Sequence, residues 1–430
     1  MATTGAEEQA ERPLVPLLLI LVTGCVSGSV PAPRPAHVPA PEPVATPSRD
    51  PEIRVGIVVG AMRVSVGGSD GLVVSEPDGS RVISIPPGES WQISTVGKKL
   101  ALSSPGGWVS PSLEVITLAA TAPTVPLRIN GKLYRGMAEL LRDRTGITVV
   151  NRLGLETYLP GVVSAEMGRR NSNEHSALEA QAVVSRTFAI RNLGKRKADG
   201  FDLTASVSDQ VYTGVGGETP EGRAAVAATR GVLLTYNGAP AEAFFYSTCG
   251  GRTADGAEVF RGAAQPYLRS VADQADNGVA YCSISPQYRW HEEWTDHSLR
   301  ATLERNLPVV TGVRSQAIQQ VRNIRVARRT TSGRVDQLAI ALAGPEVRVN
   351  GLAIRRVLRP SSGELLRSNA FTLAVTGGGG RVTHLSAEGM GAGHGVGFCQ
   401  WGAVGRARAG QGYAQILTAY FPGTRVARRY

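Results

Sequence analysis

The chain has 430 residues, enough for two or three domains with proper cores. A hydrophobic content of 42% is that of a globular protein, and 51 glycines with few aromatics exclude a simple helical bundle in favour of strands, turns and tight packing. The formal charge of +11 suits an anionic partner, but the basic residues are scattered rather than gathered into a tract, so no nucleic acid is expected.

In chain order, Leu14–Val22 is an apolar run too short to span a bilayer. It is followed by Thr23-Gly24-Cys25, the arrangement of a bacterial lipoprotein signal. Residues 1–24 are therefore expected to be cleaved, leaving Cys25 lipidated. That puts the protein in the cell envelope, extracytoplasmic on the periplasmic face, attached to the membrane through its lipid. Residues 25–51 include eight prolines from Pro31 to Pro51 and read as a semi-rigid tether. Three cysteines remain, Cys249, Cys282 and Cys399. An odd count outside the cytoplasm implies a disulfide plus a thiol, or a shared metal site.

Residues 52–145 read as a small all-β region with no catalytic signal, including a hairpin at Asn130-Gly131. Leu155–Met167 then places Leu155, Leu159, Val162 and Glu166 on one helical face. Ser176 and Glu179 form a capping box for a second helix running to Gly194, apolar on nearly all sides and so central and buried. Thr219-Pro220 starts a third helix, which ends at Gly231. Val232–Tyr236, Asn237-Gly238 and Ala241–Ser247 spell a hairpin. From about 295 to 385 the chain reads as an inserted β-rich layer without evident site residues, with a helix near Ser298–Asn306. Between Gly389 and Gly397 every second residue is glycine. An extended strand there would expose a bare face, a floor on which a flat ligand could lie. Helices at Ala403–Ala409 and Tyr413–Tyr420 close the chain. The fold class expected is α+β: a mixed helical and antiparallel-sheet catalytic domain over 146–430, with the small β region before it.

Two residues stand out chemically. Glu166, on an apolar helix face, should have a raised pKa, as a general acid needs. Arg186, a cation in an apolar helix, must pair either with Glu166 or with an anionic ligand. Cys249, Cys282, Cys399 and His394 offer donors suited to zinc, although their separations carry no spacing signature. Cys399 with His394 as a nucleophile pair would place the two on opposite faces of a strand.

Five blocks in order resemble the stage II sporulation protein D / amidase-enhancer family: Glu156–Met167, Ala177–Ala189, Asp209–Gly214, Phe245–Thr253 and Gly391–Ala403. The resemblance implies a peptidoglycan lytic transglycosylase cleaving bonds between N-acetylmuramic acid (MurNAc) and N-acetylglucosamine (GlcNAc) in denuded glycan strands, with a 1,6-anhydro product. It puts the catalytic glutamate on Glu166 and an activity-linked arginine on Arg186. Gln181, Gln210, Tyr212, Gly393, His394, Gly395, Gln400 and Trp401 are the candidate substrate contacts in these blocks. No cofactor is required. Some members hold zinc partly through cysteines, which points to Cys249, although the histidine common three residues earlier is Tyr246 here. The runner-up is a non-catalytic wall-binding enhancer of a cell-wall amidase. A cysteine peptidase comes third.

Overall fold

The computed structural model describes residues 49–430, apart from 81, 261, 263 and 345. The expected signal segment 1–24, Cys25 and the tether as far as residue 48 lie outside the described residues.

The fold is α+β. A seven-stranded sheet has the order Leu203–Thr204, Glu52–Ala61, Ile147–Gly154, Met137–Arg142, Val115–Ala120, Leu72–Ser75, Ile83–Ile85. Its neighbours are antiparallel except for the short Leu203–Thr204 strand, which runs parallel to Glu52–Ala61. A five-stranded sheet between Arg63 and Tyr134 includes the expected Asn130-Gly131 turn, with φ of 47° and 79°. Such a turn needs two residues that tolerate positive φ, and Asn-Gly supplies them. In Glu52–Ala61 alternation buries Ile53 and Val55, whereas Ile147–Asn151 is buried on both faces.

That second strand leads directly into helix α1 (Leu155–Met167), which ends at Gly168. Helix α2 (His175–Arg191) is buried at every position from Ala177 to Ile190 except Glu179. It packs against α1, against α3 (Pro220–Ala228), and against two helices near the C-terminus. An apolar circumference of this kind is stable only when other elements cover all of it. The capping box before α2 is formed by Asn171 and Glu174 rather than Ser176 and Glu179, because a turn of 3-10 helix (Ser172–Glu174) precedes it. Thr219 caps α3 by accepting from the Gly222 N–H. After the Val232–Tyr236 strand and the Asn237-Gly238 turn, the return strand is only Ala239–Pro240. A single-turn helix, α4 (Gly256–Val259), follows. One apolar core runs through all of these elements, from Ile53 to Phe421.

A second core is built from Trp290 to Ala387. Helix α5 (Asp296–Thr311) contributes Leu299, Leu303 and Leu307, one face at four-residue spacing. Two three-stranded antiparallel sheets and the short helix α6 (Ala353–Val357) complete it.

The glycine run departs from expectation. The strand Arg381–Met390 takes in only the first of its glycines, Gly389, and Gly391, Gly393, Gly395 and Gly397 have φ of 73°, 108°, 93° and 76°. The period of two comes from repeated positive-φ kinks, not from one bare strand face. A Cβ on Gly391 would lie 2.4 Å from the Thr248 carbonyl oxygen, and one on Gly395 would lie 2.7 Å from the Arg334 guanidinium. The space these side chains would need is filled by protein. The chain then forms the Phe398–Cys399 strand, parallel to Phe245–Tyr246, and helices α7 (Gln400–Arg408) and α8 (Tyr413–Tyr420). These last two are the helices that close over α2.

Candidate functional site

Where α1 ends, a cleft of about 720 Å³ opens, lined by Glu166, Ser247, Gly393, His394 and Gln400. Leu352, Arg355 and Leu365, from the segment that also supplies Ile354, Val357 and Leu366 to the second core, line the same cleft. A larger recess of 1040 Å³ lies elsewhere, beside Arg142, Asp143 and Arg196. In it burial of Asp143 is outweighed by hydrogen bonds from Thr145 and Thr148, which hold its carboxyl down at about 2.

Glu166 sits in the last turn of α1. Its Oε1 accepts from the Val211 N–H at 2.9 Å and its Oε2 from Gln400 Nε2 at 3.2 Å. Among the described residues it has no ion-pair partner. Burial raises its pKa, and the two hydrogen bonds offset only part of that rise. Behind it runs a buried amide relay. Gln400 Nε2 also reaches Gln181 Oε1 at 3.4 Å, and Gln181 Nε2 donates to Ser185 Oγ at 2.9 Å. Gln181 is therefore not a surface contact but the residue that orients Gln400.

Arg186 does not meet Glu166. It is fully buried and paired with Glu156, Nε to Oε1 at 2.7 Å and Nη2 to Oε2 at 2.9 Å. Its remaining donors reach the Val226 and Val232 carbonyls and Thr229. Burial of Glu156 would raise its pKa, but Arg186 outweighs this and lowers it. With every donor satisfied inside the core, Arg186 cannot touch a ligand, which corrects its expected catalytic place.

Gln210 and Tyr212 are also corrected. Gln210 is fully buried, accepting from Tyr158 Oη at 3.3 Å and donating to the Ser185 carbonyl at 3.2 Å. Tyr212 donates to Asn151 at 3.0 Å and packs on the Tyr134 and Tyr158 rings. Both brace the floor beneath the cleft. Asp209 lines the cleft but is bonded by Lys195, Arg196 and Thr204. Those partners outweigh its burial and lower its pKa.

His394 lines the cleft with both nitrogens engaged. Nδ1 accepts from the Val396 N–H at 3.1 Å, so Nε2 carries the proton and donates to the Phe245 carbonyl at 2.8 Å. Burial among Phe244, Tyr246 and Phe260 pushes its pKa down to about 4. It is a neutral wall residue. Gly393 reaches the cleft, whereas Gly395 is buried against Arg334. Trp401 stacks under Arg170, whose guanidinium is 4.6 Å from the ring centroid.

Similarity in sequence to known proteins bears on this geometry. A family model described as stage II sporulation protein matches residues 143–236, and one described as a domain of unknown function (DUF8618) matches 280–397. The stage II sporulation protein D of Bacillus subtilis (strain 168) is 31% identical over 300 residues, covering 66% of this chain and 77% of that protein. An uncharacterized protein of Brachyspira hyodysenteriae is 30% identical over 298 residues, covering 69% and 72%. The amidase enhancer of Bacillus subtilis is 29% identical over 298 residues, covering 62% of this chain but 40% of the enhancer. The chain belongs to the stage II sporulation protein D family.

Beside the cleft, this family member carries a cluster that spacing could not reveal. The sulfurs of Cys249, Cys282 and Cys399 and a carboxylate oxygen of Asp273 all lie within 4.8 Å of one another, and all four residues are buried. Cys249 Sγ is 3.3 Å from Cys282 Sγ and 3.2 Å from Asp273 Oδ2, far beyond a disulfide bond length. Backbone N–H groups of Cys249 and Gly402 point at Cys399 Sγ, at 3.1 and 3.2 Å. Asp273 Oδ1 is oriented by Arg406 at 3.0 Å and Tyr420 at 2.8 Å. Hydrogen bonds from the other two thiols pull Cys282 down to about 3, while burial pushes Cys249 and Cys399 up. Three soft donors and one carboxylate fit a closed four-coordinate zinc site, with outer groups holding the ligands. Asp273 is the member that sequence reasoning missed; 24 residues from Cys249, it had no motif to mark it.

Among the described residues no helix is long and apolar enough to cross a membrane.

Proposed function

We propose that this protein is a peptidoglycan lytic transglycosylase acting on denuded glycan strands. The observation that carries the reading is Glu166: one carboxyl in a cleft, with a raised pKa and no charged partner, while the other acids lining the cleft are neutralised. Asp209 is held by Lys195 and Arg196, and Glu242 by Arg191 at 3.0 Å. Glycoside hydrolysis ordinarily needs two working carboxyls. A single one suffices if the substrate supplies the nucleophile. Protonated Glu166 gives its proton to the glycosidic oxygen as the bond from that oxygen to muramic C1 breaks. The resulting carboxylate takes the proton of the C6 hydroxyl as O6 closes on C1, leaving a 1,6-anhydro end and a free GlcNAc hydroxyl. Gln400 and the Val211 N–H hold the carboxylate between the two steps. Digestion of denuded strands with mass analysis of the ends tests this; reducing ends in place of anhydro ends would refute it.

Zinc in the Cys249, Cys282, Cys399 and Asp273 cluster would supply structural cross-linking. Cys399 caps α7 and immediately precedes Gln400, so fixing it fixes the residue that holds Glu166. A metal content of one per chain, lost in a Cys282→Ser variant, is the expected result.

The name of the amidase enhancer relative favours one second reading, in which the same cleft binds glycan for a partner amidase without cutting it. Strand binding without new ends would select that reading. The cysteine peptidase is disfavoured, because both His394 nitrogens are bonded to backbone and none to Cys399. The envelope location and lipid anchor are part of the same proposal. Cys25→Ala should shift the protein out of the membrane fraction, and unchanged fractionation and mass would remove the anchor.

A further inference from the structure

The region from 295 to 385 read as a layer without site residues, yet it lines the same cleft as Glu166 and brings a cation there. Arg355 lies on α6, between Ile354 and the neighbourhood of Val357, both buried in the second core. Its own side chain lines the cleft, half-buried, flanked by the apolar Leu352 and Leu365. Nε donates to the Leu366 carbonyl at 2.6 Å, which pins the guanidinium plane. Among the described residues no carboxylate pairs with it, and the charge that acts on it is another cation, Arg334. The other cation lining the cleft, Lys195, is already paired with Asp209 at 3.0 Å.

A guanidinium stays charged at any physiological pH. Partly desolvated without an acid, it is an anion site awaiting its ligand, and its fork matches a carboxylate with two parallel bonds. We propose that Arg355 binds the lactyl carboxylate of a muramic acid residue and so selects strands stripped of their peptides. This rests on the glycan reading above. In a denuded strand the lactyl group ends in a free carboxylate. With a stem peptide attached the same carbon is an amide, uncharged and followed by bulk. The segment matching a domain of unknown function would then be a substrate-selecting wall of the cleft.

The test is binding, measured in a Glu166→Gln background so that nothing is cleaved. The ligands are denuded strands, the same strands with their lactyl carboxylates methyl-esterified, and chitin oligomers, which have no lactyl group. Bonds to a charged group predict that Arg355 favours the free carboxylate by about 10- to 100-fold over the ester. Arg355→Gln should abolish that preference with chitin-oligomer binding unchanged, which also reports that the variant is folded. Arg355→Lys should keep part of the preference, as a point charge without the fork. A preference that survives Arg355→Gln overturns the proposal. If the otherwise wild-type protein proves unable to cut strands while the Arg355-dependent preference persists, the lytic reading falls and this site stands. If it cuts free and esterified strands equally well, this site falls and the lytic reading stands.

Discussion

Helix α1 carries two glutamates ten residues apart whose surroundings are opposite. Glu156, in the first turn, receives two bonds from Arg186 and others from Tyr430 and the Gly231 N–H, so its charge is fully compensated. Glu166, in the last turn, receives two uncharged donors and no cation. The same residue type therefore closes the core at one end of the helix and is available for proton transfer at the other. Compensation separates them: a buried charge that is fully partnered is structural, and a desolvated group left without its counter-charge is free to meet a ligand. Arg186 and Arg355 repeat the contrast among the cations.

The largest effect that would break the contrast is on stability. Arg186→Leu leaves Glu156 buried without its partner and should cost roughly 3–5 kcal/mol in chemical denaturation. A small loss there would mean that the pair is not structural. Next comes Gly395→Val. With φ at 93° and Arg334 already in the space, the substitution should lower the melting temperature, the backbone strain alone costing on the order of 1–3 kcal/mol. Unchanged melting would restore the glycine run as an open floor.

The pH dependence sharpens the comparison, because the two acids have opposite signs. Glu156 has a folded pKa below the usual carboxylate value. Its contribution is present above that value and is lost as pH falls through the folded pKa. Glu166 has a raised folded pKa. Its neutral form is favoured at low pH, and stability is lost as pH rises from the usual value through the raised one. Melting curves of Glu166→Gln should therefore match the parent in acid and lie at or above it near neutrality. The smallest effect concerns His394. Since its folded pKa is about 4 and the unfolded value is ordinary, it destabilises the fold as pH drops from about 6.5 toward 4. His394→Gln should flatten that part of the curve, and an unaltered slope would show the imidazole to be solvated.

The helices were legible in the sequence because their signals are local. Periodicity marked α1, Thr219-Pro220 opened α3, and Asn-Gly pairs marked two turns. Glu166 was legible because helical spacing put a carboxyl among Leu155, Leu159 and Val162. Partnerships were less accessible. Arg186 demanded a counter-charge, but two glutamates shared the nearest helix, and only the three-dimensional packing distinguishes them. The glycine period misled because alternation in sequence follows equally from a strand and from alternate positive-φ kinks. Asp273 and Arg355 gave no local sign, since both acquire their meaning from residues that only the fold brings beside them. Gln210 and Tyr212 share a motif with the cleft wall yet point into the core.

The central claim is that Glu166 alone carries both proton transfers. General acid–base assistance is worth about 10²–10⁴-fold. The most direct measurement is the digestion of purified denuded strands by the parent protein and by Glu166→Gln, with both rate and end-group mass recorded. The account predicts 1,6-anhydro ends from the parent, a loss of at least that factor in the variant, and retained glycan binding. Reducing ends from the parent, or an active Gln variant, would contradict it.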